Sequence, residues 1–221
     1  MGRAAYFIRT FGCPVHCPWC DSAGTWHPEW VPSKIEQHSV KKLADSASTT
    51  AAEFVVVTGG EPAIHDLTPL TSALGAKNLP AHLETSGGFP IRGEFAWVTV
   101  SPKWLKQPLT ENLSRANEIK VIVEDEFSIM RWWREIEPHH RGQTVWLHPE
   151  WSRRNDPKVL NAISETVKTR GGPFRAGFQL HRLYNVDTLD KGSRPQVPLG
   201  GKNPNGENGK VWRERTVSQI L

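Results

Sequence analysis

The sequence AAYFIRTFGCPVHCPWCDS, residues 4–22, is the most informative stretch of the chain. In it a strand-like run leads directly into a segment that contains every cysteine of the protein. The thiols stand at Cys13, Cys17 and Cys20, a Cys-x-x-x-Cys-x-x-Cys spacing. Three cysteines so close together make a poor disulfide framework and favour metal ligation. Three thiolates from one loop can bind three irons of a four-iron, four-sulfur (4Fe-4S) cluster and leave the fourth iron open. The alternative is zinc with His16 as fourth ligand, although structural zinc sites usually use two separated ligand pairs.

The other apolar runs predict further short strands separated by helices. Most runs are continuous and rich in Val and Ile, which is typical of parallel strands covered on both faces. The predicted strands are residues 4–9, 54–58, 81–85, 96–100, 118–123, 144–147 and 176–180. The predicted helices are residues 34–48, 66–77, 125–137 and 156–169. Ser33 with Glu36 predicts a capping box for the first helix, and Asp156 with Pro157 predicts a cap for the last.

The connections between strands decide the fold class. Residues 86–95 and 104–116 are too short and irregular for ordinary crossover helices. The alternation of strands and helices is therefore incomplete, and the predicted fold is α/β, a truncated and open (β/α) partial barrel.

Composition and charge set the domain limits and exclude several classes of protein. The chain has 221 residues and a formal net charge of +4. Residues 191–221 are rich in Gly, Pro and Asn and carry all of this excess charge, so residues 1–190 are balanced. We expect one domain over residues 1–190, an extension over residues 191–221, and no direct binding of nucleic acid. The apolar runs are shorter than the roughly 20 residues that a membrane span needs, and the N-terminus has no secretory layout, so a cytoplasmic protein is expected.

Polar motifs follow three of the predicted strands. Thr58-Gly59-Gly60-Glu61-Pro62 ends the second strand, Glu84-Thr85-Ser86-Gly87 the third, and Ser101-Pro102-Lys103 the fourth. The carboxyl ends of parallel barrel strands line the active site, and paired glycines let a backbone approach a ligand closely. The sequence therefore predicts a functional site at this edge.

In this order the motifs resemble the radical S-adenosylmethionine (SAM) superfamily, in which Cys-x-x-x-Cys-x-x-Cys follows the first barrel strand. Within it the chain resembles the 7-carboxy-7-deazaguanine synthases, through Cys20-Asp21-Ser22, the Glu-Ile-Lys-Val-Ile of residues 118–122 and Gln179-Leu180-His181. The resemblance covers most of the chain, from about residue 4 to about residue 185. It implies that the partial barrel is of the radical SAM type.

The resemblance also implies roles for individual residues. The implied ligands of the 4Fe-4S cluster are Cys13, Cys17 and Cys20, and the implied Mg²⁺ ligand is Ser22. The implied SAM contacts are Trp19, Asp21, Gly60, Glu61, Ser86, Ser101, Pro102 and Lys103. The implied substrate contacts are Arg9, Thr58 and His181. Arginine can pair bidentately with a carboxylate, which suits a carboxypterin.

The reaction implied by the resemblance is a radical lyase reaction. It converts 6-carboxy-5,6,7,8-tetrahydropterin to 7-carboxy-7-deazaguanine with loss of ammonia, toward queuosine-type deazapurines. The implied partners are the pterin, an external electron donor of flavodoxin or ferredoxin type, and a second copy of the chain in a homodimer. The chain lacks the Gln-Gly-Glu-Gly segment with which the family usually opens, so either the start is truncated or another segment replaces those contacts.

Two other hypotheses stay open at this stage. One is a different small radical SAM enzyme, such as an activase that makes a glycyl radical on a partner protein. The other is a zinc-binding module whose basic tail contacts nucleic acid.

Overall fold

The computed structural model describes residues 2–33, 35–184 and 217–219. Its strands are β1 (Ala5–Thr10), β2 (Ile35–Gln37), β3 (Phe54–Gly59), β4 (Ala81–Thr85), β5 (Trp97–Val100), β6 (Glu118–Val123), β7 (Thr144–Pro149), β8 (Phe174–Ala176) and β9 (Val217–Gln219). Its α-helices are α1 (Val40–Ser48), α2 (Thr68–Gly75), α3 (Thr110–Arg115), α4 (Ser128–Ile136), α5 (Pro157–Arg170) and α6 (Leu180–Leu183).

The chain divides into two compact units. Unit 1 comprises Met1–Glu84, Ile91–Trp97 and Leu180–Leu221. Unit 2 comprises Thr85–Pro90 and Val98–Gln179.

Unit 1 is built on parallel strands in the order β1-β3-β4. Val55, Val57 and Leu83 are fully buried, as continuous apolar strands covered by helices require. In the register of β1 with β3, Thr10 is paired with Gly59, so both strands end at the same edge. The cysteine loop that follows β1 therefore begins beside the Gly-Gly-Glu-Pro motif that follows β3. A separate parallel pair joins β2 to β9.

Unit 2 contains the parallel strands in the order β5-β6-β7-β8. One face of this sheet is apolar and buried, with Ile119 and Val121 of β6 and Leu147 of β7 at its centre. The amphipathic helix α4 contributes Trp132, which is 2 % exposed. These strands and helices confirm the α/β character predicted from the sequence.

All seven predicted strands have counterparts, and the differences are local. The last predicted strand, residues 176–180, is placed too late, because β8 ends at Ala176 and Leu180 begins α6. Gly177 lies against the His148 ring, and residues 177–179 form a loop between β8 and α6. A six-residue helix, α3, occurs in the segment 104–116, where no helix was predicted.

The prediction for the first helix was partly wrong. Residues Ile35–Gln37 form β2, and the helix begins at Val40 instead of residue 34. Ser39 is its N-cap, with Oγ accepting a hydrogen bond from N of Lys42 at 3.2 Å, so the predicted Ser33 cap does not exist. The Asp156 cap is confirmed, since its carboxylate accepts from N of Lys158 at 3.0 Å and Pro157 opens α5. The predicted extension, residues 191–221, lies outside the described residues except for 217–219.

Candidate active site

The cysteine loop starts where β1 ends and is closed by backbone hydrogen bonds. Gly12 has a φ of 89°, a left-handed conformation that favours glycine, and it turns the chain out of the strand. The N–H of Gly12 donates to O of Thr25 at 3.0 Å, which brings the far end of the loop back to its start. Within the loop, N of Cys20 donates to O of Cys17 at 3.2 Å. Three thiols are thus held on one compact loop.

The three thiols of this loop are buried or half-buried, and the sulfur of Cys20 accepts two hydrogen bonds. Cys17 is buried, while Cys13 and Cys20 are half-buried. The Cys20 Sγ accepts hydrogen bonds from the backbone N of Ser22 at 3.4 Å and from Nε1 of Trp26 at 3.3 Å. Hydrogen bonds of this kind to ligating sulfurs are one of the means by which proteins set the reduction potential of iron–sulfur clusters.

The electrostatic surroundings of Cys13 favour the neutral thiol in the metal-free chain. Burial raises the pKa of the Cys13 thiol, and the negative charges of Glu61 and Cys20 add to the increase. Backbone hydrogen bonds from Val15 and His16 act in the opposite direction and lower it. Because a thiolate is the ligating form, binding of a metal at Cys13 would release a proton.

The Gly-Gly-Glu-Pro motif is hydrogen-bonded directly to the start of the cysteine loop. N of Gly60 donates to O of Thr10 at 3.0 Å, and N of Glu61 donates to O of Gly12 at 2.9 Å. A Cβ atom at position 60 would lie 2.1 Å from that Gly12 oxygen, so only glycine permits this approach. The two loops therefore form one connected backbone structure.

The Ser22 side chain adds a link between the two loops, and the Glu61 side chain caps the helix that follows the motif. Glu61 is 1 % exposed, and its Oε1 accepts from N of Ala63 at 3.0 Å, which caps the short 3-10 helix Pro62–Ile64. Ser22 is buried, and its hydroxyl donates to O of Gly59 at 3.1 Å. The same hydroxyl lies 3.6 Å from Sγ of Cys20.

Two of the predicted substrate contacts are neighbours across the β1–β3 pair. Arg9 and Thr58 are register partners, so their side chains project from the same face of the sheet. Arg9 and Thr58 are half-buried. Ile8 and Val57, which project from the opposite face, are buried in the core. The Arg9 guanidinium lies 5.6 Å from the centre of the Phe7 ring. The Arg9 cation and the Thr58 hydroxyl are thus neighbours on one face of the sheet, each one residue before the end of its strand.

The predicted SAM contacts of unit 2 form a second set, within that unit. Ser86 and Ser101 are buried, and N of Ser101 donates to O of Thr85 at 2.8 Å. Nζ of Lys103 donates to O and Oγ of Ser101 at 2.5 and 2.7 Å. This turn therefore folds the lysine back on the serine that precedes Pro102.

Three predicted site residues remain, two in the cysteine loop and one in α6. In the cysteine loop, Trp19 is half-buried and Asp21 is exposed. His181 lies in α6, and its side chain is outside what the structure describes.

Sequence reasoning missed three residues that hold the site together. The Gly12 carbonyl accepts from the Gly-Gly-Glu-Pro motif, Trp26 donates to Cys20 Sγ, and Nε2 of His65 donates to O of Phe11 at 2.9 Å. A glycine directly before the first cysteine was an available signal for Gly12. For the two aromatic side chains, the sequence alone carries no signal that would identify their partners.

An iron–sulfur cluster and a single zinc ion require different arrangements of the three thiols. In the described part of the chain, no three side chains of His, Cys, Asp or Glu converge to hold one metal ion. Zinc needs its ligands around a single centre at roughly 2.0–2.3 Å, whereas each thiolate of a cluster binds a different iron. His16, the fourth ligand in the zinc hypothesis, stacks on the Trp26 indole with ring centres 4.3 Å apart.

A search of the described residues for a helix long and apolar enough to cross a membrane found none.

Comparisons with known proteins give a consistent result. No protein-family model matches the chain. It is 43 % identical over 189 residues to the 7-carboxy-7-deazaguanine synthase of Synechocystis sp., covering 84 % of this chain and 85 % of that protein. It is 34 % identical over 187 residues to the 7-carboxy-7-deazaguanine synthase of Flavobacterium psychrophilum, covering 84 % of each. The crystal structure of QueE from Escherichia coli is similar, with a TM-score of 0.67 and 31 % identity over 81 % of this chain and 86 % of that one. This likeness confirms the predicted fold class.

Proposed function

The chain belongs to the 7-carboxy-7-deazaguanine synthase family, and we propose that its cysteine loop and Gly-Gly-Glu-Pro motif form the reactive centre of that enzyme. The reaction is the radical SAM lyase reaction that converts 6-carboxy-5,6,7,8-tetrahydropterin to 7-carboxy-7-deazaguanine with loss of ammonia. Neither the glycyl-radical activase nor the zinc-binding module is favoured.

One observation carries the assignment of the centre. The loop that holds all three cysteines is hydrogen-bonded to the Gly-Gly-Glu-Pro motif, through Thr10 with Gly60 and Gly12 with Glu61. The proposed cluster ligands and the proposed SAM-contacting backbone are therefore fixed relative to each other before any ligand binds. Such preorganisation removes part of the entropic cost of bringing reacting groups together.

The proposed cluster ligands are Cys13, Cys17 and Cys20. When bound, the cluster supplies the reducing electron for SAM cleavage, with which the family's reaction starts. The chain's own contribution is to offer three thiolates and no fourth, to donate hydrogen bonds to Cys20 Sγ, and to shelter the sulfurs from water. The proposed SAM contacts are Trp19, Asp21, Gly60, Glu61, Ser86, Ser101, Pro102 and Lys103.

Ser22 is the proposed Mg²⁺ ligand. Its hydroxyl proton is directed at O of Gly59, which leaves oxygen lone pairs available on Oγ. Mg²⁺ prefers hard oxygen donors and usually takes few of them from the protein, with substrate and water supplying the rest. A single serine hydroxyl beside the cysteine loop fits that requirement.

Arg9, Thr58 and His181 are the proposed substrate contacts. The paired position of Arg9 and Thr58 supports this proposal. Arg9 would bind the substrate carboxylate, and the Thr58 hydroxyl beside it would offer a hydrogen bond to the same substrate. A guanidinium binds a carboxylate bidentately and so orients the pterin ring as well as neutralising its charge.

Two further partners complete the proposal, an external source of the reducing electron and a second copy of the chain. We propose a flavodoxin- or ferredoxin-type donor and a homodimeric enzyme.

The decisive experiment is turnover of the carboxypterin by anaerobically reconstituted protein. We expect about four irons per chain, Mg²⁺-stimulated formation of 7-carboxy-7-deazaguanine, and no SAM cleavage by the Cys17→Ala variant. A Ser22→Ala variant should lose the Mg²⁺ stimulation, and the matched Ser22→Thr variant, which keeps a hydroxyl, should retain it.

Other outcomes would redirect the assignment. SAM cleavage without turnover of the carboxypterin would contradict the substrate and favour an activase. A colourless protein with stoichiometric zinc would contradict the cluster. Full turnover by Cys17→Ala would remove the cysteine loop from the mechanism.

A further inference from the structure

The indole of Trp26 donates a hydrogen bond to a proposed cluster ligand. Its Nε1–H points at Sγ of Cys20, with the two atoms 3.3 Å apart. Both residues are half-buried, so water competes only partly for this contact. Hydrogen bonds weaken when solvent can replace the donor, and this one is placed where replacement is restricted.

The indole is held on its ring face and at its backbone. The His16 ring, which belongs to the cysteine loop, stacks on it with centres 4.3 Å apart and planes 18° apart. The His27 ring meets it edge-on at 5.2 Å. The backbone N of Trp26 donates to O of Ala23 at 3.1 Å, which ends the short 3-10 helix. The direction of the N–H group is therefore set by the fold.

We infer that Trp26 is a positioning residue that makes the cluster easier to reduce, an inference that rests on the proposed function. Reduction adds one electron to the cluster and breaks no bond in the protein. The added charge is shared by the ligating sulfurs, so a fixed N–H donor stabilises the reduced form more than the oxidised form. Trp26 thereby lowers the demand on the external electron donor by acting through the Cys20 sulfur.

The test is an EPR-monitored redox titration of the anaerobically reconstituted protein, without SAM. Trp26→Phe keeps a ring for the His16 stack and removes the N–H donor. Replacement of Trp26 by 3-benzothienylalanine keeps the bicyclic shape and also removes the donor. Trp30→Phe is the matched control, since the described contact of Trp30 is a backbone hydrogen bond to His27 O.

We expect both changes at position 26 to lower the equilibrium constant for reduction about tenfold, which is a potential about 59 mV more negative. Trp30→Phe should leave it within about twofold of the wild-type value, a potential change of less than about 20 mV. The iron content of each reconstituted protein is measured beside the potential.

An unchanged potential in the benzothienylalanine protein overturns the inference. This result is decisive even if Trp26→Phe assembles no cluster and gives no potential of its own. An equal shift in Trp30→Phe overturns it as well, because the effect would not belong to the N–H group. If the wild-type chain assembles no four-iron cluster, the cofactor assignment itself is overturned. The wild-type protein then gives no EPR signal from a reduced cluster, which distinguishes this failure from failure of the Trp26 inference.

Discussion

Replacement of Gly60 by alanine should separate the two loops of the site. The Cβ atom of alanine would lie 2.1 Å from O and 2.7 Å from C of Gly12, and 3.1 Å from Cβ of Cys13. Non-bonded atoms do not approach so closely, and the obstacle is backbone rather than a flexible side chain. The Gly-Gly-Glu-Pro motif must therefore move by about 1 Å.

The cost follows from the contacts that this movement breaks. The hydrogen bonds from Gly60 N to Thr10 O and from Glu61 N to Gly12 O contribute about 1 kcal/mol each. Residual backbone strain adds about 1 kcal/mol. Restriction of the unfolded chain by alanine returns about 0.5 kcal/mol. The free energy of unfolding should fall by about 2–3 kcal/mol.

Urea denaturation of the metal-free protein measures this loss, and Gly75→Ala is the matched control. A Cβ at Gly75, the last residue of α2, meets nothing within 4 Å, so that variant should gain about 0.5 kcal/mol. After reconstitution, Gly60→Ala should also hold less iron than the Gly75→Ala protein. If Gly60→Ala unfolded at the wild-type urea concentration and bound a full complement of iron, the claim that the loops form one backbone structure would be refuted.

Two further predictions concern stability alone. Ser39→Ala should lower the free energy of unfolding by about 1 kcal/mol, whereas Ser33→Ala should change it by less than about 0.5 kcal/mol, and equal losses in urea denaturation would contradict the observed cap. Hydrogen bonds from Lys41 and Lys77 hold the pKa of Asp45 at about 2 instead of 3.8. The stabilisation by Asp45 is therefore complete above about pH 4 and lost as the pH falls to about 2. The stability of Asp45→Asn should converge with that of the wild type over this range, and parallel pH profiles would contradict the ion pairs.

The sequence predicted the parts of the fold that depend on local patterns. The continuous run of residues 54–58 indicated a buried parallel strand, and Asp156 before Pro157 indicated a helix start. The error at residues 34–48 has a non-local cause. Ile35–Gln37 is extended because it pairs with Val217–Gln219, and nothing near Ser33 in the sequence reports a partner so distant along the chain.

The same distinction applies to the site. Cysteine spacing and the Gly-Gly-Glu-Pro motif are local signals, and each indicates the centre from the sequence alone. Their contact depends on the pairing of Thr10 with Gly59, which fixes where the two loops meet. The partners of Trp26 and of the Gly12 carbonyl follow from that register, so only the three-dimensional fold identifies them.

Ser22 shows how closely the proposed ligand sites are coupled. Its hydroxyl donates to O of Gly59, and its backbone N donates to Sγ of Cys20. Removal of the hydroxyl therefore disturbs the Gly-Gly-Glu-Pro motif and the surroundings of a cluster ligand as well as the proposed magnesium site. A loss of turnover in Ser22→Ala would follow from any of these changes. The measurement that isolates metal binding is the response of the remaining turnover to added Mg²⁺: loss of the ligand abolishes this response, whereas loss of the hydrogen bond to Gly59 alone lowers turnover but leaves it Mg²⁺-stimulated.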